Sequence, residues 1–421
     1  MRGVNVYSLA ETWLRRGGRS QLAKLQSELD KARSRTDSLF ALMSAQAMYE
    51  RPIPERNRLI FYLGHLEAFD WNQICRWTLG MPAFHQSFDQ LFEAGIDPSA
   101  GNLPTDQPSD WPTVTEVQRY NARVRKEVDR VLASAPEEII HVAIEHRLMH
   151  AETNAYLLHH LDSKHKQAPS ASLLLSGEPP VDNMVRIPEG LATLGRQPEE
   201  GFGWDNEFGR HEVHVPAFSI SRYKVMNQQY LRFVQDGGAP PAFWVRRGDT
   251  WWLRTMFEEV PLPLSWPVYV THRQAQAYAE WVGMALPTEA QFHRAAYGPP
   301  SGSERSFPWG EEAPSFHHGN VDFHAWDPVP VTAHSHGNSG FGVAQMVGNG
   351  WEWTSTPFHP FHGFSPLPTY PGYSSRFFDK DHYVVKGGGP LTASRFLRRS
   401  FRNWFRQGYP YAHIGFRCVQ V

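Results

Sequence analysis

The sequence predicts an α+β chain in which a four-helix bundle precedes a domain poor in regular secondary structure. Three observations carry that prediction. Four long stretches before residue 162 repeat apolar residues at helical spacing, with few internal Gly or Pro. After Val181 the texture changes to short strand-like runs punctuated by Gly, Pro, Asn and His. Between them lies Ser163–Pro180, polar and Pro-bearing apart from three leucines, with the composition of a linker. The length of 421 residues is enough for two or three domains.

The elements follow in order. Ser20–Ala47 places Leu22, Leu25, Leu29, Ala32, Leu39 and Leu42 close to a helical period. Arg58–Leu79 repeats the pattern with Leu59, Ile60, Leu63, Leu66 and Phe69. Val114–Leu132 continues it with Val117, Tyr120, Val124, Val128 and Val131, and Thr113 or Thr115 is placed to cap its start. Ile139–Leu161 closes the set. Gly95–Pro112, rich in Gly, Pro, Asp and Ser, is a long loop of the kind that often carries function. In the second half only Arg273–Val282 and Glu289–Ala296 have a convincing helical pattern. The expected boundaries are a helical domain over 1–165, a linker over 166–180 and a second domain over 181–421.

Composition narrows the function classes. An apolar fraction of 41% with 20% charged residues is ordinary for a soluble globular protein. Lys plus Arg number 41 and Asp plus Glu 43, a formal net charge of −2, which gives no electrostatic footprint for nucleic acid or an anionic membrane. No apolar stretch reaches membrane-spanning length. The N-terminus is a poor signal peptide, because Glu11, Arg15 and Arg16 interrupt its apolar residues. Two cysteines, Cys75 and Cys418, exclude a disulfide scaffold and fit a cytoplasmic location. Counts of 21 His, 15 Trp and 15 Tyr point to a metal or small-molecule site.

His146 and His150, in IEHRLMHAET, project from one helix face a turn apart, the spacing at which two imidazoles bind one metal ion. An isolated pair of this kind is equally a pair of core or solvated histidines. His65, in YLGHLEAFDWN, lies near the inward stripe of the second helix. Three histidines converging from two helices make a site with open positions that suits iron or zinc alike. Glu67 and Glu152 each lie two residues from a proposed ligand, about 200° around the helix, and belong behind the ligands rather than among them. Asp70 is also poorly aligned. His141, His159 and His160 are expected at the surface.

The second half carries MVRIPEGLATLG, FSISRYKVMNQQYLRFV, PVYVTHRQAQAYAEWVGMALPTEAQFHRAA, FPWG, GFGVAQMVGNGWEWT, KGGG and SFRNWFRQGYPYAHIGFRC in order. This resembles the formylglycine-generating-enzyme-like (sulfatase-modifying-factor) fold, a C-type-lectin-like architecture. The first half, with GHLEAFDWN and HRLMHAET, resembles the four-helix DinB domain. Together they resemble the ergothioneine-biosynthesis sulfoxide synthases and their ovothiol and selenoneine relatives. The resemblance implies Fe(II) held by His65, His146 and His150. It also implies hercynine bound between the domains and attacked at imidazole C2, with O2 as oxidant. The family's proton-supplying tyrosine falls on Tyr370 of Tyr370-Pro371-Gly372-Tyr373, beside Tyr373. Its hercynine-binding Asn-Trp pair falls on Asn403 and Trp404, whose aromatic face suits a quaternary ammonium.

Departures bear on the second substrate. The Asp and Arg that clamp γ-glutamylcysteine in the family are here Phe405 and Tyr409, and the Tyr-Tyr pair of cysteine users is Glu93 and Ala94. The position before the last histidine, often Gln, is Met149. An aromatic pocket with Phe405, Tyr409 and Tyr411 points to the selenoneine branch, with a selenosugar as donor. The alternatives are a sulfoxide synthase using cysteine or γ-glutamylcysteine, and a non-catalytic metal-binding module. A cysteine-oxidising enzyme is disfavoured, because Cys418 stands alone in the second domain.

Overall fold

The computed structural model describes residues 6–93, 103–169, 174–181, 183–300 and 302–420, with side chains from Ser20 onward. The chain divides into two compact units, 1–167 and 168–421.

The first unit is helical. Helix α1 (Val6–Ala41) buries Leu25, Leu29, Ala32 and Leu39 along one stripe. It stops at Ala41, short of the Ala47 expected from the pattern, and a 3-10 turn over Ala45–Tyr49 follows, capped by the Ser44 hydroxyl. Helix α2 (Leu59–Asp70) is buried on almost every side. It does not run on to Leu79 as a regular helix, because Trp71–Thr78 widens into a π-helical segment. Such segments often occur at functional sites.

A short helix absent from the sequence reading, α3 (Gln86–Leu91), follows. The His85 ring caps it, and the Asp89 carboxylate accepts from Phe84 N at 2.7 Å and from the Tyr120 hydroxyl at 2.8 Å. Helix α4 (Val114–Val131) starts with a capping box in which Thr113, not Thr115, is the cap. Helix α5 (Glu137–His160) packs along α1, and the two end together: Ser44 N donates to His165 O at 3.0 Å and Gln167 N to Leu42 O at 2.8 Å. Of the expected loop 95–112, residues 95–102 lie outside the described residues. The rest is pinned by Asp106, which accepts from Arg51, Arg58 and the Trp111 indole.

The second unit has short strands and long connections. Strands β1 (Met184–Ile187), β2 (Gly190–Leu194), β3 (His211–Val215) and β4 (Phe218–Ser221) lead to α6 (Asn227–Gln235). A meander of β5 (Trp244–Arg247), β6 (Thr250–Arg254) and β7 (Glu259–Pro261) precedes α7 (His272–Trp281) and α8 (Glu289–Tyr297). The remaining strands are β8 (Trp351–Pro357), β9 (His382–Lys386), β10 (Asn403–Arg406), β11 (Ile414–Gly415) and β12 (Val419–Gln420). They form sheets of order β1-β4-β12, β2-β3, β5-β6-β7 and β10-β9-β8-β11. Helices α7 and α8 match the two stretches expected from the sequence, and each begins with a Thr capping box. Ile187, Phe218, Ile220, Phe292, Met346 and Val419 form a shared core. Buried ion pairs add to the hydrophobic packing: Glu352 accepts from Lys224 at 2.6 Å and from Arg417 at 2.6 and 2.8 Å.

Candidate metal centre and aromatic cluster

The structure brings His65 of α2 together with His146 and His150 of α5. All three are buried, and one ligand atom from each lies within 4.8 Å of the others. Among the described residues this is the one such group of three His, Cys, Asp or Glu. The Nε2 atoms of His65 and His146 are 3.3 Å apart. Two nitrogens each about 2.0–2.1 Å from one cation, at 90–110°, stand about 2.8–3.4 Å apart, so the spacing fits a shared metal.

Each ring has its own support. His65 Nδ1 donates to the Phe92 carbonyl at 2.6 Å, which turns its Nε2 lone pair toward the partners. Phe61 stacks on His65 at 4.8 Å and Phe69 on His146 at 3.4 Å. His150 lies 5.9 Å from the Tyr62 ring, and its buried Nδ1 makes no hydrogen bond. Burial pushes the His65 pKa down to about 4. It also holds His146 and His150 well below their ordinary value, reinforced by the neighbouring imidazoles. Three neutral imidazoles are the donor set that iron or zinc takes.

Behind the ligands runs an ionic lattice. Arg147, next to His146 and fully buried, donates to Glu67 at 3.0 and 2.8 Å and to Asp70 at 2.6 Å. Arg125 joins Glu67 from α4 and continues to Asp37 of α1. Glu67 is held down to about 2: burial raises it, and the Arg147 and Arg125 cations more than offset that. The lattice fixes α2 against α5, the two helices that carry the ligands. Glu152 accepts from the Tyr156 hydroxyl and stays off the site. His159, expected at the surface, is buried at 4% exposure on the inner side of α5, where the helix packs all round. Met149 is half-buried.

In the second unit the expected substrate residues fall into two groups. Tyr370, Tyr373 and Trp404 meet: the tyrosine rings are 5.9 Å apart, and Tyr373 stands edge-on to Trp404 at 5.4 Å. Phe358 stacks on Trp404 at 4.3 Å, and Phe377 flanks it at 5.4 Å. Phe405, Tyr409 and Tyr411 form the other group, with centroid distances of 5.4 and 5.2 Å. Strand alternation separates them: Trp404 pairs with Val384, whereas Phe405 pairs with Tyr383, which stacks on His272 on the opposite face. Asn403 shares the phase of Phe405, so Asn403 and Trp404 point to opposite faces. Arg402 is buried and committed to Glu289 at 3.0 Å.

Sequence reasoning missed Phe92 and Asp205. Phe92 acts through its carbonyl, which no side-chain pattern reveals. Asp205 lies far in sequence from the segment it holds, with its oxygens on Ser374 and Leu367. Both cysteines are buried and outside any disulfide, and burial pushes the Cys75 thiol up to about 12, far from a reactive thiolate.

The fold and the site define a class: a helical domain with a buried histidine triad, joined to a strand-poor domain of sulfatase-modifying-factor type. Residues 28–161 match the DinB superfamily, and residues 172–421 match the sulfatase-modifying factor enzyme 1-like domain. The chain is 33% identical to hercynine oxygenase of Mycolicibacterium thermoresistibile over 91% of each chain. It is 34% identical to that of Mycolicibacterium smegmatis over 90% of this chain and 94% of that one. With ergothioneine biosynthesis protein 1 of Neurospora crassa it shares 29% identity over 90% of its own length, and it spans 55% of that longer protein. The chain belongs to the ergothioneine sulfoxide synthase family.

Proposed function

We propose that this chain is an Fe(II)- and O2-dependent enzyme that forms a carbon–selenium or carbon–sulfur bond at imidazole C2 of hercynine. The observation that carries the reading is the triad of buried, neutral imidazoles of His65, His146 and His150 within 4.8 Å of one another. When bound there, Fe(II) supplies open coordination positions for a donor and the capacity to reduce O2. The protein's own residues do the rest. Phe61, Phe69 and the Glu67–Arg147 pair hold the imidazoles in place. Trp404 and Tyr373 offer aromatic surface to the trimethylammonium group, while Asn403, on the other face of β10, would lie with the Phe405 group. Tyr370 holds a phenolic proton for delivery during O2 chemistry.

The donor is a neutral thio- or selenosugar rather than γ-glutamylcysteine. Phe405 and Tyr409 stand where the family's charged clamp would be, Arg402 is already spent on Glu289, and Arg406, 5.9 Å from the Tyr409 ring centroid, can meet at most one of the dipeptide's two carboxylates. Leaving a dipeptide's charges unpaired in such surroundings costs about 1–3 kcal/mol or more per group. The protein acts in the cytoplasm, where its two cysteines stay reduced. Aerobic incubation of the iron-loaded protein with hercynine and a selenosugar, cysteine or γ-glutamylcysteine, read by product mass, tests the proposal. The selenosugar adduct is expected to dominate. Preference for γ-glutamylcysteine overturns the donor assignment, and absence of any hercynine adduct overturns the activity.

A further inference from the structure

One buried carboxylate holds both ends of the segment that carries Tyr370. Leu367 N donates to Asp205 Oδ2 at 3.4 Å, and the Ser374 hydroxyl donates to Asp205 Oδ1 at 2.6 Å. Asp205 is only 2% exposed, and Leu367, Tyr373 and Ser374 are buried with it. Tyr370 is half-buried and Pro371 exposed, so they stand at the outer turn of a segment whose base is sealed. The preceding residue adds a second grip: Trp204 stacks on Tyr373 at 4.0 Å and 21°.

The clamp is itself fixed. Glu207, two residues on, accepts from Trp204 N at 2.9 Å, Arg398 Nε at 2.8 Å and Ser400 Oγ at 2.7 Å. Inside the segment, Tyr370 N donates to Leu367 O at 3.0 Å and Tyr373 N to Tyr370 O at 3.1 Å. These two linked turns pass any shift at either end directly to Tyr370. Hydrogen bonds to a carboxylate are about twice as strong as neutral ones, and an ångström of misplacement at a reacting group costs orders of magnitude in rate.

We propose that Asp205, aided by Trp204, is a positioning residue for Tyr370, fixing both ends of residues 367–374 so that the phenol stands at one place. The inference rests on the role given above to Tyr370. Asp205→Asn keeps the shape but leaves only one acceptor atom for two donors. Ser374→Ala removes the upper hydrogen bond, and Ser374→Thr restores it.

Two readouts test this: amide hydrogen exchange of residues 367–374, and turnover with hercynine and donor. In Asp205→Asn, exchange across 367–374 is expected to accelerate while the rest of the second unit is unchanged. The kcat should fall about tenfold or more. Product should shift from the coupled adduct toward oxidation of the donor alone. Ser374→Ala should follow in the same direction and Ser374→Thr should recover, and these two carry the test if Asp205→Asn fails to fold. Unchanged exchange at 367–374 overturns the clamp. A lowered melting temperature with kcat per folded molecule and product ratio intact marks Asp205 as structural only and overturns the positioning role. Wild-type protein that forms no hercynine adduct overturns the functional reading and this role with it, while the exchange result still judges the clamp.

Discussion

Gly64→Ala tests how the first histidine is held. Gly64 precedes His65 in α2, and a Cβ there would stand 2.5–2.6 Å from Cζ and both Cε atoms of Phe92. Carbon contacts settle at about 3.5–4.0 Å, so the ring must retreat by roughly 1 Å. Phe92 is fully buried, with Phe88, Trp111 and Tyr120 at ring distances of 5.6, 6.3 and 6.3 Å. Those rings oppose its retreat, and any shift passed to its backbone moves the carbonyl that accepts from His65 Nδ1. Overpacking of this kind costs about 1–3 kcal/mol, offset by about 1 kcal/mol of helix propensity gained over glycine. The net expectation is a loss of about 0–2 kcal/mol, at most a few degrees in Tm. Losing a hydrogen bond behind a metal ligand costs about 10–100-fold in metal affinity. Anaerobic titration with Fe(II), and with Co(II) as an optical probe, measures the second effect, and thermal melts measure the first. A raised Tm with unchanged Kd for either metal would refute the reasoning.

Three further outcomes follow from the same geometry. His146→Ala should lose iron retention with the helical signal largely intact, since among the described residues no carboxylate joins the triad; full iron occupancy would sink the assignment. Tyr370→Phe should keep hercynine binding but slow or divert turnover, and an unchanged rate and product would move the role to Tyr373 or Tyr409. Glu352 gives a pH dependence. Burial raises its carboxyl, but Arg417 and Lys224 more than offset this and hold it below its ordinary value of 4.5. A depressed carboxylate adds stability above its unfolded pKa and loses it as pH falls below about 4.5 through the folded value. Glu352→Gln, which breaks a fully buried cluster, should cost about 3–5 kcal/mol at neutral pH and flatten the acid limb of a Tm-against-pH curve. An acid limb identical to wild type would contradict it.

Much of this was legible in the chain. Helical periods located α2, α4 and α5, because a helix that buries a face must repeat its apolar residues every turn. The same period put His146 and His150 on one face and left Glu67 and Glu152 off it, and the helical pattern also marked α7 and α8. Local spacing carries such information because neighbouring residues on one element share its geometry. What sequence could not supply is whatever depends on two distant segments meeting. The π-helical widening after Asp70, the Phe92 carbonyl behind His65 and the Asp205 carboxylate under Tyr370 are all of that kind. The sharpest case is β10, where the consecutive Asn403, Trp404 and Phe405 were all expected to bind substrate. Its pairing with β9 sends Trp404 toward Tyr373 and Phe405 toward Tyr383. Residue types and helical phase were determined by the sequence alone. Which face each strand residue takes was decided only when the sheet formed, because alternation acquires a direction only against a partner strand.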